Sequence, residues 1–195
     1  MLESHGGYLC RLESMDPTML LDLARRALPL DGVGDLSDVS LLVSAIPRRK
    51  IVRLAFDAPL SYGRRGARWY ETHHALARLA SRELGTVVHA YVFDAEVMEQ
   101  VITYANGTHV GGEQLFVEEF EPPDDEEIDD DDAFEKLKDK WPLGHLARVY
   151  GVSRGELVRM PRQGQSALLD LRSPEPEDVD RLELLLPVQR QASGM

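Results

Sequence analysis

Histidine is the commonest acid, base and metal ligand near neutral pH, so the six histidines of this 195-residue chain come first. His73 and His74 are adjacent in a stretch of helical spacing. Their side chains leave the axis about 100° apart and cannot both face one metal ion. His89 sits within TVVHAYVF, on the same strand face as Val87, Tyr91 and Phe93. A hydrolytic reading joins His73, His89 and Glu96 at a helix–strand junction. The plainer reading makes His73 a core-edge residue and His89 a hydrogen-bonded strand residue. No GxSxG, Walker-type loop, GxGxxG or CxxC accompanies them, and Gly111-Gly112 reads as a bulge or turn. No catalytic residue, cofactor or metal site is therefore assigned.

A second constellation is LGHLARVYGVSRGELVRM, Leu143 to Met160. Ala147 and Gly151 fall at the tight-packing and turn positions of a helix-turn-helix, and Ser153 can cap its second helix. Arg154, Arg159 and Arg162 would then reach phosphates. The same spacing also serves as an ordinary packing corner. Gly155 and Pro161 shorten the second helix, and the corner follows a strongly acidic segment.

That segment, Glu118 to Asp132, reads EEFEPPDDEEIDDDD. Eleven of its fifteen residues are acidic and none is basic. The whole chain has 34 acidic and 22 basic residues, a net charge of -12, so removing the run leaves 23 against 22. Nearly all the excess charge is local. One reading is a solvated linker, because dense like charge and Pro122-Pro123 resist compaction. The other is a docking surface for a basic partner. There Asp124, Asp125, Glu126, Glu127, Asp129, Asp130, Asp131 and Asp132 supply the field, and Phe120 and Ile128 are apolar anchors. A third possibility is intramolecular: Arg48, Arg49, Lys50, Arg64, Arg65 and Arg68 form a basic cluster that can fold against the run.

The elements that must position these groups follow from pattern. Residues 7–13 can form a strand, and Asp16-Pro17 opens a helix that Pro29 ends. Leu36 to Ile46 is apolar but ambiguous. Residues 50–57, KIVRLAFD, alternate as a strand, with Val52, Leu54 and Phe56 on one face and Arg53 and Asp57 on the other. Residues 67–84 carry the strongest helical pattern, ended by Gly85. Thr86 to Phe93 is apolar on both faces and reads as a central strand. Asn106-Gly107 joins two further strands in a type I′ hairpin. A short helix (Phe134 to Lys140) and the helical corner close the ordered part.

This order predicts an α+β protein: a mixed, mainly antiparallel sheet with helices on one face and a C-terminal helical hairpin. Strands 52–56 and 87–93, linked through a helix, are candidates for a parallel pair. The expected organisation is a sheet core over 1–117, an acidic linker or docking segment over 118–132, a helical hairpin packed on the core over 133–172, and a partly flexible tail over 173–195. No apolar run approaches the roughly 18 residues of a membrane span. The N-terminus MLESHGGYLCRLES shows no basic-then-apolar leader pattern. A lone Cys10 offers no disulfide or zinc pair. These features point to the cytoplasm, and net acidity argues against nucleic acid as a partner.

The stretch ELGTVVHAYVFDAEVMEQVITYANGTHVGGE resembles a strand–acidic turn–strand–hairpin pattern of small bacterial proteins, some of them immunity-like or toxin-neutralising. Asp94 and Glu96 fit the acidic pair of that pattern. The resemblance implies a non-enzymatic protein binder, and the concentrated acidic charge points to a basic partner for it. A DNA-binding regulator using 143–160 and a hydrolase using His73, His89 and Glu96 are the alternatives. The sequence leaves the oligomeric state open.

Overall fold

A computed structural model of the chain describes residues 4–46, 49–57, 74–119, 136–159 and 165–188. Strand β1 (Ser4–Arg11) leads into α1 (Pro17–Leu30). Asp16 caps that helix as its sequence requires: its Oδ1 accepts from the Thr18 and Met19 N–H groups at 2.9 and 3.2 Å, and Pro17 occupies the first turn. Strands β2 (Ser40–Ile46) and β3 (Ile51–Asp57) follow, so the ambiguous 36–46 stretch ends as strand. Helix α2 (Ala75–Glu83) starts where the Asp31 carboxylate accepts from the Ala75 N–H, at 3.1 and 3.3 Å. The expected helical residues 67–73 lie outside the described residues.

Strands β4 (Val88–Asp94), β5 (Met98–Ala105) and β6 (Thr108–Phe116) complete one wing of the sheet. Asn106 and Gly107 both have positive φ, 51° and 78°, which makes the β5–β6 connection the type I′ turn that Asn-Gly predicts. After the acidic segment come α3 (Pro142–Tyr150), α4 (Arg154–Val158), β7 (Ser166–Asp170) and α5 (Val179–Leu185).

The sheet order is β6-β5-β4-β1-β3-β2-β7, and every neighbouring pair is antiparallel. Its centre, β4-β1-β3-β2 with α1 and α2 as crossovers, is the split βαβ or ferredoxin-like order. The parallel relation expected between β3 and β4 is present only across β1. Both pair antiparallel to β1, which lies between them. Gly7 permits that insertion, because a Cβ there would stand 2.5 Å from the Leu54 carbonyl oxygen.

The two faces are covered differently. On one, Cys10, Val52, Leu54, Val88 and Ala90 meet the apolar sides of α1, α2 and α5 in the larger core. On the other, Leu9, Ile51, Tyr91, Phe93 and Val101 meet Leu143, Leu146, Tyr150 and Leu157 of the helical corner. This double coverage explains why β3 is buried from Ile51 to Phe56, although its sequence alternates with Arg53 on the second face. One feature departs from the expected organisation. Residues 166–170, inside the span read as helical hairpin, form an edge strand paired with β2. Pairing partners more than a hundred residues apart leave no local signal, which is why this strand was not readable. The described residues of the tail pack: Leu182 is buried, and Met15 bridges to Val188.

Candidate functional site

The second face gathers buried polar groups, and their geometry says what they do. Glu99 on β5 is 1% exposed. It accepts from the Leu143 N–H at 3.0 Å in the first turn of α3, where a carboxylate suits the helix dipole. Arg154 of α4 pairs with the same carboxylate and lies 5.6 and 5.8 Å from the ring centres of Phe93 and Trp141. At the far end of α3, Arg11 donates to the Val149 and Tyr150 carbonyls at 3.2 and 3.0 Å. Arg53 donates to the Leu157 and Arg159 carbonyls at the end of α4. His5 Nε2 donates to the Val158 carbonyl at 2.7 Å, which leaves its Nδ1 to face the Tyr91 hydroxyl. Helix starts thus meet a carboxylate and helix ends meet cations. These groups clamp the corner onto the sheet.

The clamp bears on the helix-turn-helix reading. Ser153 does cap α4, through a reciprocal capping box with Glu156 at 3.2 and 2.9 Å, and Gly151 makes the left-handed turn at φ 69°. However, α4 has only five residues, Leu157 is buried, and Arg154 turns inward to Glu99. Arg159 is exposed, and Arg162 lies outside the described residues. The corner therefore presents a packing surface to the sheet instead of a reading helix to a groove.

Between α3 and the β5–β6 hairpin runs a groove of about 270 Å³, with Thr103, Leu146, Val110 and Val149 among its walls. His89 forms its floor. The ring Nδ1 lies 3.0 Å from Thr103 Oγ1, its edge meets Tyr150, and burial lowers its pKa from 6.5 to about 4. His89 is thus neutral at pH 7. Glu96 lies in the turn after β4 and His89 near the start of that strand, about 17 Å apart at about 3.3 Å per residue. His73 lies outside the described residues. The structure therefore does not bring His89 and Glu96 together, and among the described residues no group of three His, Cys, Asp or Glu could hold a metal ion. Cys10 is buried, and burial pushes its thiol up to about 12, far from a reactive thiolate.

At the mouth of the groove His145 Nδ1 donates to Glu113 Oε2 at 2.7 Å. Beyond it lies β6, the outermost strand, which among the described residues pairs with β5 alone. Most of its side chains are exposed, and the register slips beside Val110, so Gly111-Gly112 sits inside the strand next to the bulge expected there. Val110 is 59% exposed and Val149, across the groove on α3, is 64% exposed. Glu118 and Glu119 follow in an exposed turn. The predicted contact residues Phe120, Asp124, Asp125, Glu126, Glu127, Ile128 and Asp129 to Asp132 lie outside the described residues.

Sequence reasoning missed the groove, the edge and the clamp. The run THVGGEQ lacks the period-2 alternation of a half-buried strand, and most side chains of β6 are exposed. Comparison with protein-family models, curated proteins and solved structures finds no match.

Proposed function

We propose that this chain is a non-enzymatic, cytoplasmic protein-binding module of the immunity or regulatory kind, which takes a partner with a basic surface. One observation carries the reading. The acidic segment begins at the end of β6, with exposed Glu118 and Glu119, beside an edge strand with no second partner among the described residues. Glu118 and Glu119 thus put negative charge beside the Gln114–Phe116 stretch of that edge, whose other end, about 20 Å along at about 3.3 Å per residue, carries the exposed Val110. Phe120 and Ile128, with Asp124 to Asp132, belong to the contact in this proposal. The disposition of the buried polar groups supports it further, because Glu99, Arg53, Arg154 and His5 are engaged in holding the helical corner. Neither alternative gains support: Arg154 is not turned to phosphate, and His89 and Glu96 stand at opposite ends of β4. Among the described residues no helix is long and apolar enough to cross a membrane.

The test compares the wild-type chain with a variant whose Asp and Glu at 124–132 are replaced by Asn and Gln. Each is used as bait in its native cell, and the captured proteins are quantified. A basic protein recovered with wild type and depleted at least about tenfold with the variant is the expected result. The complex should weaken with salt for wild type and show a flatter salt dependence for the variant. Identical captured sets would sink the proposal.

A further inference from the structure

The direction of the β6 backbone groups left without a partner among the described residues can be derived. The Val117 N–H donates to the Val97 carbonyl at 2.9 Å, so 97 and 117 form a hydrogen-bonded antiparallel pair. Such pairs alternate with non-bonded ones along a ladder. Leu115, Glu113 and Gly111, opposite Glu99, Val101 and Thr103, therefore spend their N–H and C=O groups inward on β5. Phe116, Gln114 and Gly112 point theirs outward. The side chains divide by the same alternation: Glu113 and Leu115 lie on the groove side, and Gly111 leaves that side open, with nothing within 4 Å of where its Cβ would be. The bulge beside Val110 confines the straight free edge to residues 111–116.

We infer that this edge is a strand-addition site for an extended segment of a partner protein, one carrying an aliphatic and a basic residue at alternate positions. The inference rests on the protein-binding reading above and names its mode. Backbone bonds to Gly112, Gln114 and Phe116 supply affinity that ignores sequence, and the groove supplies selection. A side chain of the added strand beside Gly111 has room to lean between Val110 and Val149, over the His89 floor. The next residue on that face, two positions along, stands beside Glu113, where a Lys or Arg meets a carboxylate. Glu118 and Glu119 at the strand's end extend the same charge preference. A partner chosen by charge and one chosen by alternation are thus the same partner.

The probe is a labelled peptide alternating Thr with Ile, Lys and Arg, so that the apolar and basic residues share one face. Its control carries N-methyl groups along the backbone. Edge positions whose N–H points to solvent accept proline, so Gln114→Pro removes an outward donor while keeping the ladder. Gln114→Ala controls for the side-chain bond to Gln100. Expected results are binding of the peptide but not of its N-methylated form, weakening of about tenfold in Gln114→Pro, and less than about twofold change in Gln114→Ala. Val149→Asp should weaken binding similarly, and hydrogen exchange at 112, 114 and 116 should slow on binding. Equal affinity of wild type and Gln114→Pro, or no binding of the peptide at millimolar concentration, overturns strand addition. So does self-association of the wild type that Gln114→Pro abolishes, because the edge is then occupied by a second copy. The two readings separate through the 124–132 neutralised variant. Peptide binding lost in Gln114→Pro and kept in that variant leaves strand addition standing without the acidic contact. The opposite pattern leaves the acidic contact without strand addition.

Discussion

His89 makes the stability of this protein depend on pH in a direction that can be worked out from its burial. Its pKa is about 4 in the fold and 6.5 as a free side chain. Between those values the unfolded chain holds a proton that the folded chain does not, so acidification favours unfolding. The contribution is fully present above about pH 6.5 and is lost as pH falls through 4, on the order of 3 kcal/mol in total. Urea unfolding of wild type and His89→Phe at pH 7 and pH 4.5 measures it: the wild type should lose more stability than the variant over that interval. The Glu99–Arg154 pair gives a second expectation. Removing either partner leaves a buried charge without its mate, so Glu99→Ala or Arg154→Ala should cost about 3–5 kcal/mol. A Glu99→Met, Arg154→Leu double variant should recover most of that loss. It still lacks the acceptor for the Leu143 N–H, a deficit of about 1 kcal/mol. Equal destabilisation of single and double variants in urea melts would show that the pair's packing, not its charge, holds the corner. These residues were hard to read because a charged residue in a strand signals solvent by default. Arg53 and Glu99 instead face helix ends that arrive from far along the chain.

Helix α3 is seated by one glycine. A Cβ on Gly144 would lie 2.3 Å from the Asp139 carbonyl oxygen and 2.6 Å from its Cα, both backbone atoms that cannot rotate away. Gly144→Ala should therefore destabilise by about 1–3 kcal/mol, although alanine is the better helix former. Gly155→Ala on α4 is the contrast, because its nearest neighbour is the Ser153 hydroxyl at 4.0 Å and helix propensity favours the change. A thermal melt ranking Gly155→Ala at or above wild type and Gly144→Ala well below it checks both. Elements whose signals are local were legible: the Asp16-Pro17 start, the Asn106-Gly107 turn and the Ser153 cap all stand where the sequence put them. Strand β7 was not, since SALLD becomes a strand only by pairing with β2. Which face the hairpin covers was equally hidden. The corner expected to pack on the core is the layer that buries Tyr91, Phe93 and Val101.

At the scale of the molecule, the charge is what distinguishes this chain. Most described cations already have partners: Arg26 pairs with Asp22 and Glu83, Lys50 with Glu13, Arg154 with Glu99, and Arg172 with Asp170. Arg11, Arg25 and Arg53 are engaged with backbone carbonyls. Glu83 shows the strength of such pairing, since bonds from Arg26 and Arg82 lower its pKa to about 2. These cations are thus balanced without the run at 118–132, and like charges as dense as those of the run repel one another. Self-repulsion of that kind is relieved by screening, whose range shrinks from about 30 Å at 0.01 M salt to about 10 Å at 0.1 M. Stability should therefore rise with sodium chloride between 10 and 300 mM, on the order of 1–2 kcal/mol. The 124–132 neutralised variant should be more stable than wild type at low salt and respond little to added salt. Pairing of the run with the arginines at 48, 49, 64, 65 and 68 requires the opposite sign, a loss of stability as salt breaks the contact. Urea midpoints of the two proteins at both salt concentrations distinguish a segment held out for a partner from one folded onto its own chain.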